Sequence, residues 1–312
     1  MKYIGYLIII LALSSSIFGT EQGGKDIPLF NIGLGARSAG MGNAYTAVAN
    51  DCHAVYWNPA GMLFAKPLEL GTMQAKLSTD LNVYYLSGVF QNKPKGSALP
   101  QSAWGIFWIN GGLSDIPLVT GNETEVTDNI DVKPYDYAQY SGNAIGIGYA
   151  WWLTPTMAGG ITVSGIYQDL SKISQGRGLG FTITPGILWL LDSRLALGVV
   201  IRDLVNYQKW STGTIDYSIP ELGTGISWSA TDTLLISSEI RQKLDSKYKA
   251  TINLGGELNL WNTVRLRAGF DEDHFTAGCG LYIAKLSVNY AFTANTADGV
   301  GDTHRVSMEI GF

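Results

Sequence analysis

The sequence predicts an all-β chain, a transmembrane antiparallel β-barrel of about fourteen strands closed around an internal N-terminal stretch. Three observations predict it. From Leu68 onward the chain divides into fourteen segments of roughly ten residues, each long enough to cross a bilayer at a tilt. The connections between them alternate between short and long. The stretch Gly35 to Met62 breaks the pattern, mixing Ala36, Ala39, Ala44, Ala47, Val48 and Val55 with Gly and Ser, a composition suited to short helical pieces packed against other backbone.

The N-terminus is read first. Lys2 supplies a positive charge, Ile4 to Leu13 are largely apolar, and Ser14 to Gly19 turn small and polar, the layout of a secretory signal peptide over residues 1–19. Its apolar run is too short for a spanning helix, which needs ~20 residues. The chain is therefore expected to be exported. Residues 20–66 form an N-terminal segment holding the internal stretch, and 67–312 form the wall.

Composition excludes several classes. Only 15% of residues are charged, glycine is abundant at 38, and no later segment is a long apolar run, which argues against a helical membrane protein. The formal charge of -5 comes with no basic stripe, so nucleic acid is not an expected partner; outer-membrane lipid is.

Within the internal stretch, Asn58-Pro59-Ala60-Gly61 is a stop signal. Proline has no amide hydrogen and pushes the residue before it out of the helical region, so a helix ends by Trp57 or Asn58. Gly61 can take a positive φ and let the chain reverse.

The wall segments are read at 68–78, 81–92, 101–112, 139–153, 156–169, 177–191, 193–204, 219–229, 233–243, 248–260, 263–271, 273–283, 285–295 and 303–312. Alternation is clearest in the second half. Ile252, Leu254 and Leu258 share one face against Asn253, Glu257 and Asn259; Leu286, Val288 and Tyr290 oppose Ser287 and Asn289; Val306, Met308 and Ile310 oppose Arg305, Ser307 and Glu309. On this reading charge at Leu254 or Val288 impairs insertion, whereas charge at Asn253 or Asn289 is tolerated.

A soluble sandwich alternates too, so the connections decide. Those after segments 4, 6, 8, 10 and 12 are tight, and those after 3, 5, 7, 9 and 13 are longer and polar. This is the asymmetry of a barrel with turns at the periplasmic rim and loops at the outer one. The longest, Leu113 to Ala138, carries Asp115, Glu123, Glu125, Asp128, Asp131 and Asp136 against Lys133 alone. Trp151, Trp152, Trp189, Trp228 and Trp261 gather near the tight-turn rim, as an interfacial aromatic girdle would. Cys52 in the internal stretch and Cys279 on an outward face should lie on opposite sides of the wall and stay free thiols. The last strand ends on Phe312, a terminal aromatic of the kind read by barrel-insertion machinery.

The charges Arg202, Glu239, Arg241, Glu257, Arg265, Arg267, Arg305 and Glu309 are expected to face the lumen, since a charge facing lipid costs ~2 to 4 kcal/mol at mid-depth. Their mixed signs suggest ion pairs that hold the internal stretch.

Ala36, Arg37, Gly40, Met41, Gly42, Ala44, Ala47 and Tyr56-Trp57-Asn58-Pro59-Ala60-Gly61 together resemble the N-terminal signature of the PorV/PorQ family and, more distantly, of FadL-type transporters of fatty acids and aromatic hydrocarbons. The resemblance implies a helical plug inside the lumen, with the Asn-Pro-Ala motif near the wall. A FadL-type role implies passive passage of hydrophobic solutes across the outer membrane of a Gram-negative bacterium. A PorV-type role implies an accessory barrel of type IX secretion that receives cargo proteins. The chain is shorter than is usual for either and lacks extensive outer loops.

An enzyme is not expected. Asp51 and His53, or Asp271, Asp273 and His274, are joined to no nucleophile motif, phosphate loop or zinc spacing. The second group reads better as a polar turn tip than as a metal site, and no cofactor is implied.

Overall fold

The computed structural model describes residues 33–77, 81–118, 135–172, 176–294 and 302–312. Residues 1–19, read above as a signal peptide, lie outside them.

The wall is a closed antiparallel barrel of fourteen strands. In chain order its pieces are β1 (Leu68–Lys76), β2 (Asn82–Asn92), β3 (Ser102–Leu118), β4 (Asp136–Thr154), β5 (Met157–Leu170), β6 (Arg177–Leu190), β7 (Leu195–Arg202), β8 (Val205–Trp210), β9 (Ile215–Asp216), β10 (Glu221–Ser229), β11 (Leu234–Lys243), β12 (Thr251–Leu260), β13 (Val264–Asp271), β14 (His274–Ile283), β15 (Leu286–Thr293) and β16 (Thr303–Gly311). The sixteen pieces make fourteen strands because β7 and β8 are one strand broken at Asp203 and Leu204. Both pair with β6, through Gly186 opposite Val200 and Ile183 opposite Val205. Pro185, with no amide hydrogen to offer a neighbour, lies at the break, and Asp203 turns left-handed at φ 53°. Likewise β9 is a two-residue extension ahead of β10. Closure comes from β1 against β16, Leu70 opposite Ile310, and the C-terminal Phe312 amide donates to the Leu68 carbonyl at 2.8 Å.

Because side chains alternate across a strand, each strand has one face to the outside and one to the lumen. Leu254, Val288, Tyr290, Val306 and Met308 are exposed on the outside, while Asn253, Asn289, Arg305, Ser307 and Glu309 are buried inside. Alternation is weaker over β1 to β5 for a physical reason. There both faces are apolar: Tyr84 and Leu86 face out while Val83 and Tyr85 face in, packed on the inner segment.

The rims differ as read. The connections from β4 to β5, β6 to β7, β12 to β13 and β14 to β15 are tight, and Trp261, Asn262 and Ala284 take left-handed conformations to make them. At the opposite rim the wall is uneven. β3 and β4 run for 17 and 19 residues, while β13 and β15 have 8 each. The acidic connection read from Leu113 to Ala138 is therefore partly strand: Asp115 lies in β3, beside a register shift, and Asp136 opens β4. Likewise β8 and β9 occupy much of what was read as connection after residue 204. Alternation fails as a signal there because beyond the bilayer the outward face need not be apolar. Glu123, Glu125, Asp128, Asp131 and Lys133 lie outside the described residues.

Four of the five girdle tryptophans sit at the tight-turn rim with the ring outward or in the turn itself. Trp152 does not: it turns inward, packs edge-on against Phe64 at 5.4 Å and donates to the Pro100 carbonyl at 3.0 Å. Trp104 and Tyr149, 4.6 Å apart, add aromatic surface near this rim. Cys52 is buried, Cys279 is exposed, and both are free.

Residues 33–66 lie within the ring and hold two short helices, α1 (Ala36–Gly40) and α2 (Ala54–Trp57), followed by a 3-10 turn over Pro59–Phe64. From Leu34 to Leu63 nearly every residue is buried.

The expectation that charge is tolerated at Asn253 and Asn289 is corrected by the structure. Asn253 donates to the Gly42 carbonyl at 2.7 Å, and Asn289 donates to Glu309 and accepts from Arg267. Leu254→Arg should lower barrel stability by ~2 to 4 kcal/mol in denaturant titrations of vesicle-inserted protein. Asn253→Asp should destabilise as well, through repulsion by Asp271. Wild-type stability for Leu254→Arg would contradict the outward assignment.

Candidate functional site

An irregular backbone carries amides and carbonyls that no helix or sheet satisfies, and in a membrane protein they must find partners within the protein. Helices of five and four residues leave most of the inner segment in this position. The wall answers from all round the lumen. Thr162 donates to the Val55 carbonyl at 2.8 Å, Ser227 to Ala47 at 3.0 Å and Ser237 to Ala44 at 2.6 Å. Gln91 reaches the carbonyls of Met62 and Ala65, and Thr276 accepts from the Gly42 amide at 3.0 Å. The Glu239 carboxylate accepts from two successive amides, Tyr45 and Thr46, at 2.8 Å each.

Charge then adds three ties. Arg37, in α1, holds Glu257 of β12 through both Nε and Nη2 at 3.0 Å, and Glu257 also accepts from Arg267 at 2.7 Å. The same guanidinium meets Asp51 at 3.2 Å, and Tyr45 donates its hydroxyl to that carboxylate. Burial pushes the Tyr45 phenol well above its ordinary value, so it stays a donor. The second tie centres on Glu239, which pairs with Arg241 at 2.8 Å and approaches Arg202 at 4.0 Å. Both guanidiniums lie over the Trp57 indole, at 5.1 and 5.4 Å from its centroid, and Arg241 donates to the Asn43 carbonyl. In the third, His53 meets Glu309 at 3.1 Å through Nε2 and Ser87 at 3.1 Å through Nδ1. Glu309 further accepts from Ser287, Asn289 and Ser307.

The other side of the segment is apolar. Tyr56 meets Trp57, Phe107 and Tyr85 edge-on at 5.4, 6.0 and 6.4 Å, inside a buried cluster with Val55, Met62 and Val89. The lumen is thus uneven: the wall's buried arginines and most of its buried carboxylates lie on β7 to β16, and the aromatic and aliphatic cluster lies against β1 to β6, whose inward faces also carry Glu69, Ser87, Gln91, Thr162, Ser164 and Thr182.

The motif residues take distinct places. Ala36 packs with Ala39 and Ala291. Gly40 backs onto Gly278, and Gly42, at φ +58°, sits against the carbonyls of Leu254 and Phe270 where no side chain fits. The Met41 side chain is buried. The helix does stop at Trp57; Asn58 is extended, accepts from the Ala60 amide and donates to the Thr46 and Ile187 carbonyls at 2.9 and 3.0 Å. Pro59 and Ala60 open the 3-10 turn. Gly61 does not use the freedom to take a positive φ and stays in that turn. Glycine is required there because the Ala49 carbonyl occupies the space of a side chain.

Of the wall charges, Arg305 donates to Thr293 at 3.0 Å and Arg265 lies over the Tyr282 ring at 5.0 Å. Sequence reasoning missed Asn43, Tyr45, Asp51, His53 and Glu221 as partners: Asn43 and His53 act on Asp271 and Glu309 far away in the chain, while Tyr45 and Asp51 meet Arg37, and Glu221 meets Arg202, at spacings that no helix or strand period picks out. Asp271, a candidate ligand, accepts from Asn43 and Asn253 at 2.6 and 2.5 Å instead, while His274 pairs with Asp273 at 2.9 Å.

Voids lined by described residues flank the segment. At the tight-turn rim a cavity of about 580 Å³ is lined by Val48, Leu188 and Leu195 on one side and Arg37, Glu257 and Arg265 on the other. Beyond the segment, between Tyr56, Phe107, Arg202 and Asp203, lies a void of about 20 Å³, room for one water.

No known family matches the chain, and no curated protein does. Solved structures do. The toluene transporter TodX of Pseudomonas putida superposes with a TM-score of 0.65 at 13% identity, covering 90% of this chain and 99% of that one. The monoaromatic hydrocarbon channel CymD gives 0.63 at 13% identity, with 90% and 98% covered. A FadL homologue of Pseudomonas aeruginosa gives 0.55 at 9% identity, with 95% and 100% covered. The fold is FadL-like. None of these three is a PorV-type protein, and that resemblance rests on the motif residues alone.

Removing Glu257 should loosen the inner segment selectively, since leaving buried Arg37 and Arg267 without their carboxylate costs about 3 to 5 kcal/mol. In Glu257→Ala, hydrogen exchange of amides 33–66 should rise by roughly a hundredfold or more while wall amides keep their protection. Unchanged exchange in 33–66 would show that the ties do not hold it.

Proposed function

We propose that this chain is an outer-membrane barrel for passive passage of hydrophobic small molecules, and that residues 33–66 are its plug. The carrying observation is the division of the lumen. A solute that partitions out of water needs an apolar path, and the inward faces of β1 to β6 supply one from Tyr85 and Ile109 down to Leu188. The opposite half binds the plug by charge, while the side with the apolar cluster holds it by the neutral hydrogen bonds of Gln91, Thr162, Ser87 and the Ile187 carbonyl, the weaker set for a shifting plug to break. The likeness to channels whose names specify toluene and monoaromatic hydrocarbons supports this reading. The tight-turn rim, with its 580 Å³ cavity, then faces the periplasm and receives solute released past the plug.

The wall closes through β1 and β16 without the inner segment, so a chain lacking residues 37–60 should still assemble. In planar bilayers it should conduct ions at a level far above full-length protein, which should be nearly closed. Equal conductance would remove the plug from the proposal. Vesicles carrying full-length protein should take up toluene faster than protein-free vesicles, and equal rates would remove passage.

A further inference from the structure

At the tight-turn rim one connection is not tight. β2 reaches β3 through residues 93–101, whereas β14 reaches β15 through Ala284 and Lys285 alone. The longer piece is nevertheless held. The Gln101 amide donates to the Asn92 carbonyl at 2.8 Å, the Ser97 amide to Pro94 at 3.1 Å and the Ser97 hydroxyl to Leu99 at 2.7 Å. Gly96 turns left-handed at φ 83° with open space where a side chain would stand. Folded this way, the connection presents Lys93, Lys95 and the apolar Leu99, which is 55% exposed.

Two more lysines join them. β2, β1, β16 and β15 are consecutive in the wall, and at this rim the backbone stitches them together. The Gln91 amide donates to the Pro67 carbonyl at 2.8 Å, Phe312 to Leu68 at 2.8 Å and Gly311 to Lys285 at 3.0 Å. Lys66, just ahead of β1, lies along Gly311, and the Lys285 ammonium stands 4.4 Å from the centre of the Phe312 ring. Lys66, Lys93, Lys95 and Lys285 are thus gathered along an arc of about 15 Å, three strand spacings. All four are exposed, and none forms an ion pair among the described residues. Glu69 and Glu309 of the same strands are buried on the lumen side. The far side of the rim differs, for Arg194 meets Asp232 there at 3.4 Å and Asp192 adds a second acid.

We infer that this sector of the rim binds an anionic glycerophospholipid of the leaflet on the tight-turn side. The inference goes beyond solute passage and does not depend on it. The surroundings select a lipid over a soluble anion. The outward faces of the same part of the wall are apolar right up to the lysines, with Leu68, Phe90, Ile283 and Phe312 exposed, so acyl chains have a surface to lie on beside the headgroup. Leu99 carries that apolar surface onto the charged connection itself. A lysine suits this border, because its stem lies on apolar ground while its ammonium stays at headgroup level. Each lysine near an anionic headgroup adds a modest attraction, and a cluster without counter-ions compounds it. A zwitterionic headgroup brings its own cation and gains less.

The test is native mass spectrometry of full-length protein in detergent, with phosphatidylglycerol and phosphatidylcholine of identical acyl chains as probes. Wild type is run beside Lys93→Gln/Lys95→Gln/Lys285→Gln and a control, Lys209→Gln, which alters an exposed lysine of β8 at the opposite rim. Gel heat-modifiability checks folding. Wild type should retain phosphatidylglycerol over phosphatidylcholine by about tenfold, the triple variant should lose that preference, and the control should keep it. Equal retention of the two lipids by wild type overturns the site, as does a preference that survives in the triple variant or vanishes in the control. Should wild type prefer neither lipid yet bind soluble polyglutamate through the same three lysines, the sector docks an acidic protein and the lipid site is overturned.

Discussion

The structure depends on one constraint: an irregular backbone buried inside a closed ring must have its amides and carbonyls answered inside the protein. Residues 33–66 bring such a backbone into the ring, and the wall meets it with hydroxyls, amides and carboxylates on at least seven strands. Glu239 shows the economy of this. One carboxylate caps two amides and anchors Arg241, whose guanidinium lies over Trp57. The wall's inward residues are better understood as complements of the inner segment than as a pore lining.

The same constraint explains the glycines. Where backbone lies against backbone no side chain can intervene, so Gly42 meets the carbonyls of β12 and β13, and Gly61 meets Ala49. A motif that reads as a string of small residues is a set of contact points. Of its three charged or aromatic members, Arg37 and Trp57 are the ones the ion pairs grip, and Tyr56 packs in the apolar cluster.

Much of this was legible in advance. Fourteen strands, their outward faces and the parity of the rims follow from a period of two under a demand that lipid-facing residues be apolar. The reading weakened where that demand lapses. β3 and β4 run for 17 and 19 residues, well past their neighbours, and β8 follows a break in its strand, so these stretches looked like loops. Trp152 was assigned outward because a tryptophan near a rim suits lipid, but Phe64 supplies an apolar neighbour inside. Gly61 permits a reversal that this chain does not use.

By itself the sequence determined which face of the later strands points outward and that a non-strand segment precedes the wall, because both are properties of local composition. Only the tertiary structure decided who partners whom. Arg37 finds Glu257 and His53 finds Glu309 across more than two hundred residues, and closure of the ring, not the chain, makes them neighbours. The division of the lumen into a charged and an apolar half belongs to the same level. It arises because β10 to β16 and β1 to β6 face each other only once the first strand has met the last.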